Sequence, residues 1–225
     1  MNVASQALNS SCLLGLLALI GCTVFHRATF LADHSLDKLL ADRPGSAALL
    51  SEYPLLKQWL YAQWNSPIGD YRMYWSDAPP AISMAEHGFM PDSKLIVIRL
   101  SDRLSAADQL TALCFEVCNA QAFSGVDALA AQAMARSISR EEYIREKTEK
   151  EFHAVLRARG IIRERMPLSI DDQHATNLYR HLLNAPNEFD AYQIWNRRIP
   201  HSNYARTLQY YGKEYDQLAN QRKTR

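Results

Sequence analysis

Several sequence patterns that mark common enzyme classes are absent from this chain. It has no Gly-rich phosphate-binding loop, no Gly-x-Ser-x-Gly nucleophile motif and no Cys-x-x-Cys pair. Its 25 basic and 24 acidic side chains nearly cancel, leaving a formal net charge of +1. Because a nucleic-acid surface needs a surplus of positive charge, we predict no nucleic-acid partner.

Histidine and cysteine are poorly spaced for metal binding. None of the seven histidines lies four residues from another, so no helix presents a histidine pair at the i, i+4 spacing that binds zinc. Cys114 and Cys118 are four residues apart in a helical pattern and are interpreted as small buried apolar residues. The alternative is a pair of soft metal ligands completed by Glu151 or a histidine. We predict no metal and no cofactor.

The N-terminal stretch is typical of a targeting segment. Residues 12–25 are mostly apolar but too few for a membrane span of about 20 residues. Leu19-Ile20-Gly21-Cys22 has the form of a bacterial lipobox, which predicts a signal peptide over 1–22, lipidation of Cys22 and a single domain over 23–225. The first eleven residues contain no Lys or Arg, which leaves an uncleaved N-terminal anchor open. Either interpretation predicts attachment to the membrane through the N-terminus, facing the periplasm of a bacterial cell envelope.

Hydrophobic periodicity beyond the leader predicts an α+β fold, mainly helical with a small two- to three-stranded sheet. The apolar runs at 70–76 and 95–100 are typical of strands, and residues 84–93 are interpreted as a loop. Helices are predicted over 35–64 with a break at Arg43-Pro44-Gly45, then over 105–120, 139–160, 174–183, 189–199 and 204–218.

Two acidic residues lie on helix faces that the pattern predicts to be buried. Glu116 flanks the apolar stripe of the 105–120 helix, and Asn119 follows it by about one turn. Glu151 shares a face with Ile144 and Val155 on the next predicted helix. An unpaired buried carboxylate is costly, so these two acids are candidates for a shared polar pocket with Asn119 between them.

This order of elements resembles the zincin-like metallopeptidases. In active members the first helix reads His-Glu-x-x-His and binds zinc, and a later helix donates a further acid. Here Phe115-Glu116-Val117-Cys118-Asn119 occupies that frame, so only Glu116 matches, while Glu151 matches the later acid. The resemblance implies a zincin-like core from about residue 70 to 215. It also implies that His201, just before the last predicted helix, is a site residue.

We therefore expect a membrane-tethered, exported pseudo-enzyme that binds a protein or a cell-envelope component, with Asn119 and His201 in the binding pocket. One alternative is an active hydrolase in which Glu116 is the general base and Glu151 assists it. Another is a structural role, in which Glu116, Asn119 and Glu151 form a buried hydrogen-bonded network.

Overall fold

Prolines divide the first helical region into three short helices. The computed structural model describes residues 35–80, 85–122, 126–168, 177–198 and 204–221. Its first elements are α1 (Leu36–Asp42), α2 (Pro44–Ser51) and α3 (Pro54–Asn65). Each proline occupies the first turn of its helix, where its fixed φ fits and its missing N–H is not needed. The predicted break at Arg43-Pro44-Gly45 is confirmed, but the chain breaks again at Tyr53-Pro54.

Three strands form one mixed sheet with the predicted apolar strand at its centre. The strands are β1 (Arg72–Trp75), β2 (Ala85–Met90) and β3 (Leu95–Leu100), in the order β1-β3-β2. Strand β1 pairs with β3 in parallel, and β2 pairs with it antiparallel. The bounds of β3 match the prediction, because Ile96, Val97 and Ile98 are buried as its composition indicates.

The interpretation of residues 84–93 as a loop is wrong. Residues Ala85–Met90 form strand β2, followed by a single 3-10 turn over Pro91–Ser93 that leads into β3. The segment contains Gly88 and no β-branched residue, so its composition gives little sign of a strand. The strand is instead stabilised by its pairing with β3. Glu86 lies opposite Arg99, and their side chains form an ion pair at 2.9 Å.

Helix α4 (Ala106–Ala122) is the central helix of the fold and agrees with the prediction to within two residues. Ser105 caps it, its Oγ accepting a hydrogen bond from the Asp108 N–H at 3.2 Å.

A second helix, α5 (Val126–Ala135), follows it and was not predicted. Its alanine-rich sequence favours helix strongly but blurs the apolar periodicity, leaving only Leu129 and Ala133 as its buried residues within the part described.

Helix α6 (Arg140–Arg165) begins with the predicted capping box. Ser139 Oγ accepts from the Glu142 N–H at 3.2 Å, and Glu142 Oε2 accepts from the Ser139 N–H at 2.9 Å. The prediction that Gly160 ends this helix is wrong. Gly160 is exposed with nothing crowding it, and α6 continues for another turn until Met166, just before Pro167.

Three helices complete the described chain and lie close to their predicted ranges. They are α7 (Asn177–Asn184), α8 (Phe189–Arg198) and α9 (Tyr204–Gln221). The aromatic stripe predicted on α9 does pack inward, since Tyr211 is buried and Tyr215 lies against Tyr143 with ring centroids 5.6 Å apart.

Apolar side chains gather in two clusters. The larger one joins α1–α4, α6, α7 and strands β1 and β3, and α4 contributes buried residues on nearly every side. The smaller one contains Leu129, Ala133, Tyr143 and Tyr211 from α5, α6 and α9. Helix α9 is thus held to the fold by a small apolar cluster, and polar contacts to α6 add to it.

The predicted α+β class, mainly helical with a small sheet, is confirmed. Within the described ranges, no helix is long and apolar enough to cross a membrane. The predicted leader over 1–22, with Cys22, lies outside these ranges, and so does His201.

Candidate functional site

Glu116 is a buried acid with a histidine partner from the sheet. It lies in the middle of α4 and is 5% exposed. Its Oε2 is hydrogen-bonded to Nδ1 of His87 at a distance of 2.8 Å. His87 comes from β2, opposite Ile98 of β3, and its side chain is also largely buried. The hydrogen bond therefore joins the sheet to the central helix and offsets the cost of burying the carboxylate.

Glu151 is the second acid, and it takes its partner from the last helix. The Tyr211 hydroxyl on α9 donates a hydrogen bond to Glu151 Oε1 on α6. Burial, assisted by the nearby charge of Glu116, raises the pKa of Glu151 from an ordinary 4.5 to about 7. The Tyr211 hydrogen bond and the charges of His87 and Lys147 act in the opposite direction. Because α4 and α6 pack against one another, the charge of Glu116 acts on Glu151, while a pocket shared by the two acids and Asn119 stays a prediction.

Asn119 lies on α4 three residues after Glu116, at the spacing of helix neighbours. Its side chain is 4% exposed, and in the described part of the chain its Oδ1 has no hydrogen-bond partner. A buried amide oxygen of this kind is uncommon in folded proteins, where most buried acceptors are satisfied. The expectation that Asn119 is buried is met, but it does not act as a bridge between the acids through this oxygen.

Lys147 is a member of the site that sequence reasoning missed. It lies on α6 four residues before Glu151 and is only 4% exposed. Its Nζ is 3.1 Å from Glu214 Oε2 and lies over the rings of Tyr143 and Tyr211, at 5.6 and 5.1 Å from their centroids. The i, i+4 spacing to Glu151 could have indicated this position, because residues four apart lie on the same face of a helix.

His87 was missed for a different reason, since its segment was interpreted as a loop. Its position becomes evident only from the register of β2, which turns it toward α4. Tyr211 was seen only as part of a packing stripe, and its hydroxyl contact with Glu151 depends on how α9 docks.

Cys114 and Cys118 are both buried free thiols, as the simpler interpretation predicted. Burial raises the pKa of Cys118 to about 12 and that of Cys114 well above its ordinary value, so both remain protonated. Over the described residues, no group of three or more histidine, cysteine and acidic side chains is arranged to hold a metal ion.

The chemistry available at the site is that of proton exchange and polar binding. A carboxylate bonded to an imidazole can accept a proton, and a carboxyl group with a pKa near 7 can either give or take one. Compared with models of protein families, with curated proteins and with solved structures, the chain has no match.

Proposed function

We propose that the chain is a zincin-like pseudo-enzyme, tethered to the membrane and exported, that binds a protein or a cell-envelope component at the Glu116–Glu151 site. The observation that carries the proposal is the partnering of the two acids. Glu116 is bonded to His87 and Glu151 to Tyr211, so the carboxylates that would activate water and hold zinc are engaged by the protein's own side chains. Phe115 and Asn119 stand where an active zincin has histidines.

Zinc content tests this proposal directly. The full chain is purified in detergent, without chelator or affinity histidines, and its zinc is measured by mass spectrometry. Phe115 and Asn119 supply no strong zinc ligand, so zinc should lie far below one ion per molecule. Stoichiometric zinc that is lost in Glu151→Gln but kept in Glu146→Gln, an exposed acid on the same helix, would refute the pseudo-enzyme.

A photo-crosslinker tests the binding role. Phe115 is partly exposed beside Glu116, so benzoylphenylalanine at this position should crosslink to an envelope component in intact cells. The same group at the exposed Leu55 on α3 should not give that adduct. Identical adducts from both positions would count against a binding surface at the site.

A hydrolase is the second candidate, favoured by the hydrogen bond between His87 and Glu116 and by the pKa of Glu151 near 7. These groups would serve as general base and general acid. A hydrolase predicts that cleavage of fluorescent casein is lost in both Glu116→Gln and Glu151→Gln and persists in Glu146→Gln. No cleavage by the parent chain would eliminate this candidate for protein substrates.

A further inference from the structure

The last helix, α9, is joined to α6 through charged side chains. Lys147 Nζ on α6 is 3.1 Å from Glu214 Oε2 on α9, and Glu151 accepts a hydrogen bond from the Tyr211 hydroxyl. Interfaces between parts of a protein that separate in solution are typically more polar than permanent ones. Because water can solvate Lys147 and Glu151 once α9 leaves, parting these two helices costs less than exposing an apolar interface.

The apolar attachment of α9 is small and separate from the main core. Within the part of the chain described, Tyr211 is the residue that α9 contributes to the buried set of the smaller cluster, beside Leu129, Ala133 and Tyr143. These four residues do not belong to the larger cluster, which contains α4 and the sheet. Segments with few buried apolar contacts open locally, so α9 can leave while the main core stays folded.

A surface contact at Gly212 completes the attachment of α9. Arg140 Nε of α6 is 3.2 Å from Asp216 Oδ1 of α9, and both side chains are about half exposed. The Arg140 guanidinium lies against Gly212, where an added Cβ would overlap it. Exposed ion pairs contribute little to stability, and a glycine within a helix weakens it relative to alanine. This contact therefore closes α9 onto α6 without locking it there.

With α9 in place, the acids of the site are poorly accessible. The Tyr211 hydroxyl occupies Oε1 of Glu151, while Glu116 and Asn119 are 5% and 4% exposed. Undocking of α9 frees that oxygen of Glu151. The charges of Glu116 and His87, which come from α4 and β2, continue to act on it. A partner that binds at these acids must therefore displace Tyr211.

We propose that α9 is an autoinhibitory cover of the Glu116–Glu151 site, closed by Tyr211 on Glu151 and by Arg140 on Asp216, and displaced when the partner binds. This proposal rests on the proposed binding function and names its regulation. In the closed form Glu151 is hydrogen-bonded to Tyr211, and in the open form it is available to the partner. The affinity for the partner is then reduced by the fraction of molecules in which α9 is closed.

Native-state hydrogen exchange of the full chain in detergent tests whether α9 opens by itself. Backbone amides of α9 should be less protected than those of α4, and low concentrations of urea should change their exchange little, because local opening exposes little surface. Amides of α4 should instead follow global unfolding and its full urea dependence. Equal protection and equal urea dependence in the two helices would overturn the proposal, since α9 would then leave only when the whole fold does.

A charge reversal tests the contact that closes α9. Asp216→Arg replaces attraction to Arg140 with repulsion, so it should speed exchange of the α9 amides at least about threefold and keep their weak urea dependence. Gln217→Arg adds the same charge at the next exposed position of α9 and should not do so. Arg140→Gln is a milder variant that gives the same direction if Asp216→Arg does not fold. Exchange that both charge variants leave unchanged would overturn the role of this ion pair.

Alkylation shows whether the movement of α9 uncovers the site. Glu151→Cys places a thiol beneath Tyr211, and peptide mass spectrometry follows its reaction with iodoacetamide, with the buried Cys114 and Cys118 as unreactive references. Adding Asp216→Arg should speed this alkylation by the factor seen in exchange, and adding Gln217→Arg should not. Faster exchange without faster alkylation would show that α9 opens away from the site and would overturn the cover. Stoichiometric zinc, by contrast, would remove the proposed function and leave these readouts of α9 unchanged.

Discussion

His87 Nδ1 and Glu116 Oε2 lie 2.8 Å apart, and this contact fastens the edge strand β2 to the central helix α4. The two residues are 29 positions apart in sequence and both side chains are largely buried. The contact brings the His87 imidazole and the Glu116 carboxylate together, and the charges of both act on the carboxyl group of Glu151. The stability of the fold and the chemistry of the site therefore depend on the same side chains.

Substitutions of the two acids separate hydrogen bonding from charge. Glu116→Leu removes the partner of His87 and should lower the free energy of unfolding by about 1–3 kcal/mol. Glu116→Gln combined with Glu151→Gln keeps shape and hydrogen-bonding groups while ending the repulsion, so it should be at least as stable as the parent. Thermal melts measure both, with the exposed Glu146→Leu as control. If Glu116→Leu melts with the parent, the buried network contributes nothing to stability.

Glu151 should make stability depend on pH in a defined window. Its pKa in the folded protein is about 7, against an ordinary 4.5. The contribution of protonated Glu151 to the free energy of unfolding is therefore complete below about pH 4.5 and is lost as pH rises through about 7. At about 1.4 kcal/mol per pKa unit, the loss is at most about 3.5 kcal/mol. Urea unfolding at several pH values should show that the parent loses stability relative to Glu151→Gln across this window. A constant difference between the two proteins would contradict the raised pKa.

Local sequence signals accounted for the elements whose side chains carry their own pattern. The β-branched run of β3 and the Ser139–Glu142 capping box specify a strand and a helix start without help from the rest of the chain. Strand β2 is different, because it is a strand only through pairing with β3. The alanine-rich α5 has strong propensity but little periodicity, so its existence was not visible in the apolar pattern.

The site divides in the same way. The burial of Glu116 and Asn119 follows from helix faces, and helix faces can be counted along the sequence. The hydrogen-bond partners of the two acids cannot be predicted from helix periodicity. His87 depends on the register of β2, and Tyr211 depends on the docking of α9, so both are properties of tertiary packing.

Lys147 should support the docking of α9. Lys147→Met keeps an apolar chain between the rings of Tyr143 and Tyr211 but leaves Glu214 without its ammonium partner. We expect a loss of about 1–3 kcal/mol and a further rise in the pKa of Glu151, since the charge of Lys147 lowers it. Urea unfolding and a pH titration measure the two effects. The exposed Lys213→Met on α9 is the matched control, and equal behaviour of the two variants would argue against a role for Lys147.

Lipidation of Cys22 is the prediction that decides how the chain is attached to the membrane. Leu19-Ile20-Gly21-Cys22 has the form of a lipobox, and the apolar stretch before it is short for a membrane span. In a bacterial host, an alkyne-tagged palmitate should label the parent chain, and Cys22→Ala should abolish the label and accumulate a slower-migrating precursor. Cys12→Ala, which alters the other cysteine of the leader, should keep both label and processing. A parent chain that takes up no label and migrates like Cys22→Ala would show that the segment is an uncleaved anchor.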